Sequence, residues 1–123
     1  MTRLRSFLFT AAVAGAVLAP AATAQGAATT LAVEAAPTRV AAWNGTVMWS
    51  RFDPVTQLYT LVKSVGGAAP VPVGVAPRRG APFDVDLGTN RSGATYAVYT
   101  RSDGDIYRLN VATGAETKID RLS

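Results

Sequence analysis

From Val40 onward, apolar and polar positions alternate with a period of two, in short runs broken by turn residues. Along Thr95 to Arg101, the side chains of Tyr96, Val98 and Thr100 point one way and those of Ala97, Tyr99 and Arg101 the other. Along Gln57 to Val65, Leu58, Thr60 and Val62 share one face, and Tyr59, Leu61 and Lys63 share the opposite one. Both faces carry apolar groups, the pattern of a sheet held between two other layers. No window beyond the first 24 residues shows a helical stripe. The pattern predicts strands at Val40 to Trp43, Thr46 to Phe52, Gln57 to Val65 and Val71 to Val75. It predicts four more at Phe83 to Leu87, Thr95 to Arg101, Asp105 to Val111 and Glu116 to Ile119.

Turn chemistry separates these runs. Asn44-Gly45 between apolar stretches is a strong hairpin signal, because both central residues of that turn take positive φ. Asp53-Pro54, Gly66-Gly67, Ser102-Asp103-Gly104 and Ala112-Thr113-Gly114 mark the other turns. Pro72 suits only an edge strand, since it cannot donate to a ladder.

The eight strands fall into two copies of one plan. Trp49-Ser50-Arg51 matches Tyr99-Thr100-Arg101 at an offset of 50. Leu58-Tyr59-Thr60-Leu61 matches Ile106-Tyr107-Arg108-Leu109 at an offset of 48, so the second copy is expected to have a turn two residues shorter. The expected fold is all-β, with two four-stranded antiparallel blade-like sheets forming a partial β-propeller behind a signal-peptide helix. Its parts are a signal peptide (1–24), a low-complexity leader (25–37), a first repeat (38–76), a Pro/Gly-rich link (77–82) and a second repeat (83–123). The leader is either flexible or holds one strand at Thr30 to Val33, of the kind that completes the last blade of a ring.

The amino-terminal segment has the layout of a secretory signal. Arg3 and Arg5 precede an apolar run from Phe7 to Leu18, Pro20 ends it, and Ala22-Thr23-Ala24 is a small-x-small cleavage site. The run is shorter than the ~20 residues a membrane span needs. Cleavage would leave Gln25 to Ser123, exported to the medium or to a periplasmic or cell-envelope space, with no membrane span.

Composition narrows the chemistry. The 123 residues include no Cys and no His, which excludes disulfides, thiolate catalysis, His-based triads and the usual zinc sites. The net charge of +4 drops once Arg3 and Arg5 leave, when ten basic residues face eight acidic ones. Nucleic acid is therefore not an expected partner. No nucleophile elbow, phosphate loop or dinucleotide fingerprint is present. The chain is expected to be no enzyme and to use no cofactor.

Phe83-Asp84-Val85-Asp86-Leu87-Gly88, then Tyr96-Ala97-Val98-Tyr99-Thr100-Arg101, then Asp105-Ile106-Tyr107-Arg108-Leu109 and Ala112-Thr113-Gly114 carry a resemblance. The order resembles the TolB-like, WD-repeat-like β-propeller blades of secreted actinobacterial proteins, over about residues 38–120. Two features depart from that pattern. A plain Ser102-Asp103-Gly104 turn stands where such blades often carry Cys, and there are two repeats where a propeller needs at least four. The resemblance implies an interaction scaffold or binding module whose partners are proteins. Two blades alone would leave two apolar faces of roughly 300 Å² each uncovered. Self-association through those faces, a compact two-sheet sandwich, or an amino-terminal piece of a longer propeller would each account for them.

Few side chains offer candidate chemistry. Asp84 and Asp86 lie two apart on one strand and so share a face, where they could hold Ca²⁺, bind carbohydrate or serve a hydrolase as acid and base; a solvated strand edge or a hydrogen bond to a nearby turn is the favoured reading. Arg78 and Arg79, in the link, can meet an acidic partner or simply face solvent. Arg51 and Arg101 occupy equivalent places, each two residues before an Asp. They are expected to pair with Asp53 and Asp103 and steady the turns. The aromatic residues are expected mainly in cores.

Overall fold

A computed structural model describes residues 28–119, and all of them lie in strands, turns or irregular segments. The expected signal peptide (1–24) and the last four residues of the expected second repeat lie outside that range. Among the described residues nine strands are present: β1 (Val40–Trp43), β2 (Thr46–Asp53), β3 (Leu58–Val65), β4 (Val71–Pro72), β5 (Arg78–Arg79), β6 (Val85–Thr89), β7 (Thr95–Thr100), β8 (Ile106–Asn110) and β9 (Glu116–Lys118). They form two antiparallel sheets. The first runs β1-β2-β3-β4, with β5 also paired to β3, and the second runs β6-β7-β8-β9.

Local sequence explains most boundaries. Asn44 and Gly45 take φ of 45° and 75°, the left-handed pair that a tight β1–β2 hairpin requires. Asp53 opens the next turn by accepting the Val55 N–H and the Thr56 hydroxyl. Asn90 does the same work before β7, with its side-chain oxygen taking the N–H groups of Ser92 and Ala94. The fourth strand of the first sheet is shorter than its apolar run suggests, because Pro72 and the positive φ of Gly74 end the pairing. The vacated edge of β3 is taken by Arg78 and Arg79, which pair with Tyr59 and Leu58, so the Pro/Gly-rich link contains a short strand. No strand forms at Thr30 to Val33.

The register of the hairpins decides which face each side chain occupies. In β2 the residues Val47, Trp49 and Arg51 stand opposite Ser64, Val62 and Thr60 on one face; Met48, Ser50 and Phe52 stand opposite Lys63, Leu61 and Tyr59 on the other. In the second sheet Ala97 and Tyr99 stand opposite Leu109 and Tyr107, and Val98 and Thr100 opposite Arg108 and Ile106. Trp49 and Tyr99 occupy the same kind of ladder site. The Gly66 N–H donates to the Gly45 carbonyl, and the N–H groups of Val111 and Arg101 bond the carbonyls of Thr95 and Asp105. The odd-numbered residues of β2 and of β7 thus bond the strand that follows, and in an L-peptide that fixes the face their side chains occupy.

The Met48 face of the first sheet packs on the Tyr99 face of the second. The shared core is Met48, Leu61, Val75, Phe83, Val85, Ala97, Tyr99, Leu109 and Val111, with Tyr59 and Tyr107 packed beside it. The two sheets therefore stack head to tail: the Trp49 face looks outward, while its counterpart, the Tyr99 face, looks inward. Polar ties cross the seam. The Phe83 N–H donates to Ser50 Oγ at 2.7 Å, Lys63 Nζ to the Val111 carbonyl, and Arg78 Nη1 to the Thr100 carbonyl at 3.1 Å.

One expectation about the repeat is corrected by this register. From Arg51 to its partner Thr60 the first hairpin is five residues longer than the second is from Arg101 to its partner Asp105, where a difference of two was expected. An odd difference turns the third strand over. Tyr59 and Leu61 therefore face the second sheet, and Tyr107 and Leu109 face the first, so the two matching sequence motifs meet in one core instead of occupying equivalent places.

Candidate functional site

The leader's described part does not trail into solvent. It covers the outward face of the first sheet. Trp49 is 3% exposed and Val62 fully buried there, although the second sheet lies on the other side. A recess of about 310 Å³ lies between this segment and β2, lined by Leu31, Glu34, Thr38, Val47 and Trp49 among others. Glu34 anchors the cover. Its carboxylate accepts the Trp49 indole N–H at 2.6 Å and the Arg51 Nη2 at 3.2 Å.

The second sheet has the same clamp built from a different place in the chain. Glu116, on β9, accepts the Tyr99 hydroxyl at 2.7 Å and Arg101 Nη1 at 3.3 Å. Burial, then the bond to Glu116, holds the Tyr99 phenol well above its ordinary range. Arg51 and Arg101 do occupy equivalent places. Their partners are Glu34 and Glu116, not the expected Asp53 and Asp103. A carboxylate two residues on points back into its own turn, as Asp53 does, and is already occupied by backbone N–H groups. Nothing in the local spacing pointed to Glu34 or Glu116, which lie 17 and 15 residues from the arginines they bind.

Asp103 shows what the turn carboxylates do. The Asp105 backbone N–H, followed by the Tyr107 hydroxyl, holds its carboxyl below the ordinary value of 3.8. A carboxylate depressed on folding adds stability above its unfolded pKa, and that stability is lost as pH falls through the lower folded value. Asp103→Ala is therefore expected to lose stability at neutral pH and to show a flatter decline below about pH 4 than the parent, read from urea unfolding between roughly pH 2 and 6. Parallel declines in the two proteins would contradict this.

The opposite face of the second sheet is open among the described residues. Val98, Ile106 and Ile119 are exposed on it by 38%, 43% and 40%, the first two from neighbouring strands. Tyr96 lies on the same face, with the Arg108 guanidinium over its ring at 5.6 Å. Asp84 and Asp86 border the face from the β6 side, so the structure keeps them together on one side of the strand. Asp84 forms an exposed ion pair with Arg39 at 3.1 Å, and Asp86 accepts the N–H of Leu87. Both contribute to a shallow groove of about 570 Å³ with Arg39, Val98, Thr100 and Ile106. Among the described residues, no cluster of three or more acidic side chains is arranged to hold a metal ion.

Arg78 and Arg79 part company. Arg78 is half-buried and ties β5 to the Thr100 carbonyl, with its Nε enclosed and unpartnered. Arg79 is exposed beside Phe52, Gln57 and Tyr59. They are two surfaces, not one basic patch, because adjacent strand residues point to opposite faces. Among the described residues no helix is long and apolar enough to cross a membrane. No family model matches the chain, and neither a curated protein nor a solved structure does.

Proposed function

We propose that this chain is an exported, non-enzymatic β-propeller-type repeat protein, of TolB-like or WD-repeat-like kind, that acts as a protein-interaction scaffold or binding module. The observation that carries it is the head-to-tail stack with one face of the second sheet left open among the described residues. Each sheet contains a consecutive four-strand meander, with β5 added to the first; they approach each other at their first strands, β1 and β6, and they present the same face in the same direction. Neighbouring propeller blades are arranged in that way. Export rests on the amino-terminal signal pattern, which places the product outside the cytoplasm, in the medium or the envelope. Exposed apolar side chains gathered on one sheet face and rimmed by charged ones, as Val98, Ile106 and Ile119 are by Asp86 and Arg108, favour a docking surface.

The partner surface is Val98 and Ile106, framed by Asp86 and Arg108. An immobilised parent chain is expected to retain a protein partner from the extracellular or envelope fraction, and a Val98→Arg, Ile106→Lys variant of unchanged circular dichroism is expected to lose it. Equal retention by both would remove this face as the docking surface.

A further inference from the structure

We propose that the open face of the second sheet pairs with the same face of a second copy of this chain, back to back, about a twofold axis running along β7. It rests on the proposal that this face is a docking surface and names its occupant.

Two observations lead there. The first is that the head-to-tail alternative is closed. A second copy continuing the stack would have to present its Trp49 face, and that face is occupied by residues 28–39 of its own chain. Displacing them would remove Glu34, the carboxylate that satisfies both the Trp49 indole and Arg51, and would leave the buried indole N–H without its acceptor. The face that remains free in each copy is the one around Val98. A surface that can meet only itself makes an isologous pair, the commonest symmetry of soluble oligomers.

The second observation is the charge pattern across that face. Asp86, Val98 and Arg108 are direct cross-strand neighbours on β6, β7 and β8. The row reads acidic, apolar, basic, with Val98 in the middle. A twofold axis along β7 exchanges the two sides of the row, so Asp86 of each copy meets Arg108 of the other, and Val98 meets Val98. Among the described residues neither Asp86 nor Arg108 belongs to an ion pair. In the next row the same axis sets Ile106 of each copy against Asp84 of the other, which Arg39 holds, so the apolar contact is centred on Val98. The face is small beside the ~800 Å² per partner of a standard interface, so the pair is expected to be weak and to loosen with salt.

The test is sedimentation equilibrium of the exported parent chain over a range of concentrations and ionic strengths. It is accompanied by Asp86→Arg, Arg108→Asp and the double exchange. The parent is expected to form a reversible dimer. Each single reversal sets like charges together and should weaken it about tenfold or more. The double exchange should bring the dimer back. All four proteins should melt alike, since both positions are exposed. A parent that stays monomeric at about millimolar concentration would overturn the proposal, as would a dimer indifferent to either reversal, a double exchange that fails to recover, or open-ended growth with concentration. A monomer that still retains a partner through Val98 would refute self-pairing while leaving the docking surface in place.

Discussion

Phe83→Ala is expected to remove about 3–5 kcal/mol of stability. Phe83 sits just before β6, at the entry to the second sheet, and is 1% exposed. Its ring meets Tyr99 edge-on at a centroid distance of 5.8 Å. Removing it empties the seam between the sheets and frees Tyr99 on one side. The backbone N–H keeps its bond to Ser50 Oγ, so the loss reports packing alone. Small domains have only about 5–15 kcal/mol in hand, and each 1 kcal/mol moves the midpoint by roughly 4–8 °C at this size. A fall in Tm of the order of 15 °C or more is expected by calorimetry. Ser50→Ala makes the complementary test: it strands that N–H in a buried place and should cost about 1–3 kcal/mol. A Phe83→Ala protein that melts within a few degrees of the parent would mean the two sheets do not share this seam.

Leu61→Ala is expected to cost about 2–5 kcal/mol and to lower the melting of both sheets together. Leu61 is fully buried on the first sheet's inner face, in one cluster with Leu109 of the second. The reporters are conveniently divided. Both tryptophans, Trp43 and Trp49, lie in the first sheet, while three of the four tyrosines, Tyr96, Tyr99 and Tyr107, lie in the second. Coincident transitions by tryptophan fluorescence and tyrosine absorbance, both shifted by Leu61→Ala, are the expected result. If only the tryptophan transition moved, each sheet would be holding itself, and the common core would be wrong.

The strands were legible because their information is local. The Asn44-Gly45 turn, the period of two in β2, β3 and β7, and the exclusion of Pro72 from a central position each follow from a few adjacent residues. The expected and observed strand ends coincide or differ by one to three residues. β5 was not legible: Arg78-Arg79 has no strand pattern and pairs only because Pro72 and Gly74 leave the β3 edge bare beside it. The leader likewise read as a low-complexity tail, and its role appears only once Trp49 and Arg51 are placed under it. Of the candidate site, the shared face of Asp84 and Asp86 was readable from their spacing. The separation of Arg78 from Arg79 was not, since it depends on which of the two meets the second sheet.

The amino-acid sequence by itself determined the all-β class, the division into two antiparallel sheets, nearly every turn, and which side chains of a strand share a face. Those properties depend on φ preferences and on the two-residue period of the pleat, which act over a handful of neighbours. Only the tertiary structure decided which face meets which. A five-residue difference between two hairpins turns one third strand over relative to the other, and so brings Tyr59, Leu61, Tyr107 and Leu109 into one core. Only the fold chose Glu34 and Glu116 as partners for Arg51 and Arg101, because a carboxylate that satisfies a buried indole or phenol must arrive from wherever the packed chain has one within reach. The open face around Val98 is the remainder of those choices: among the described residues, the first sheet has both sides covered and the second has one.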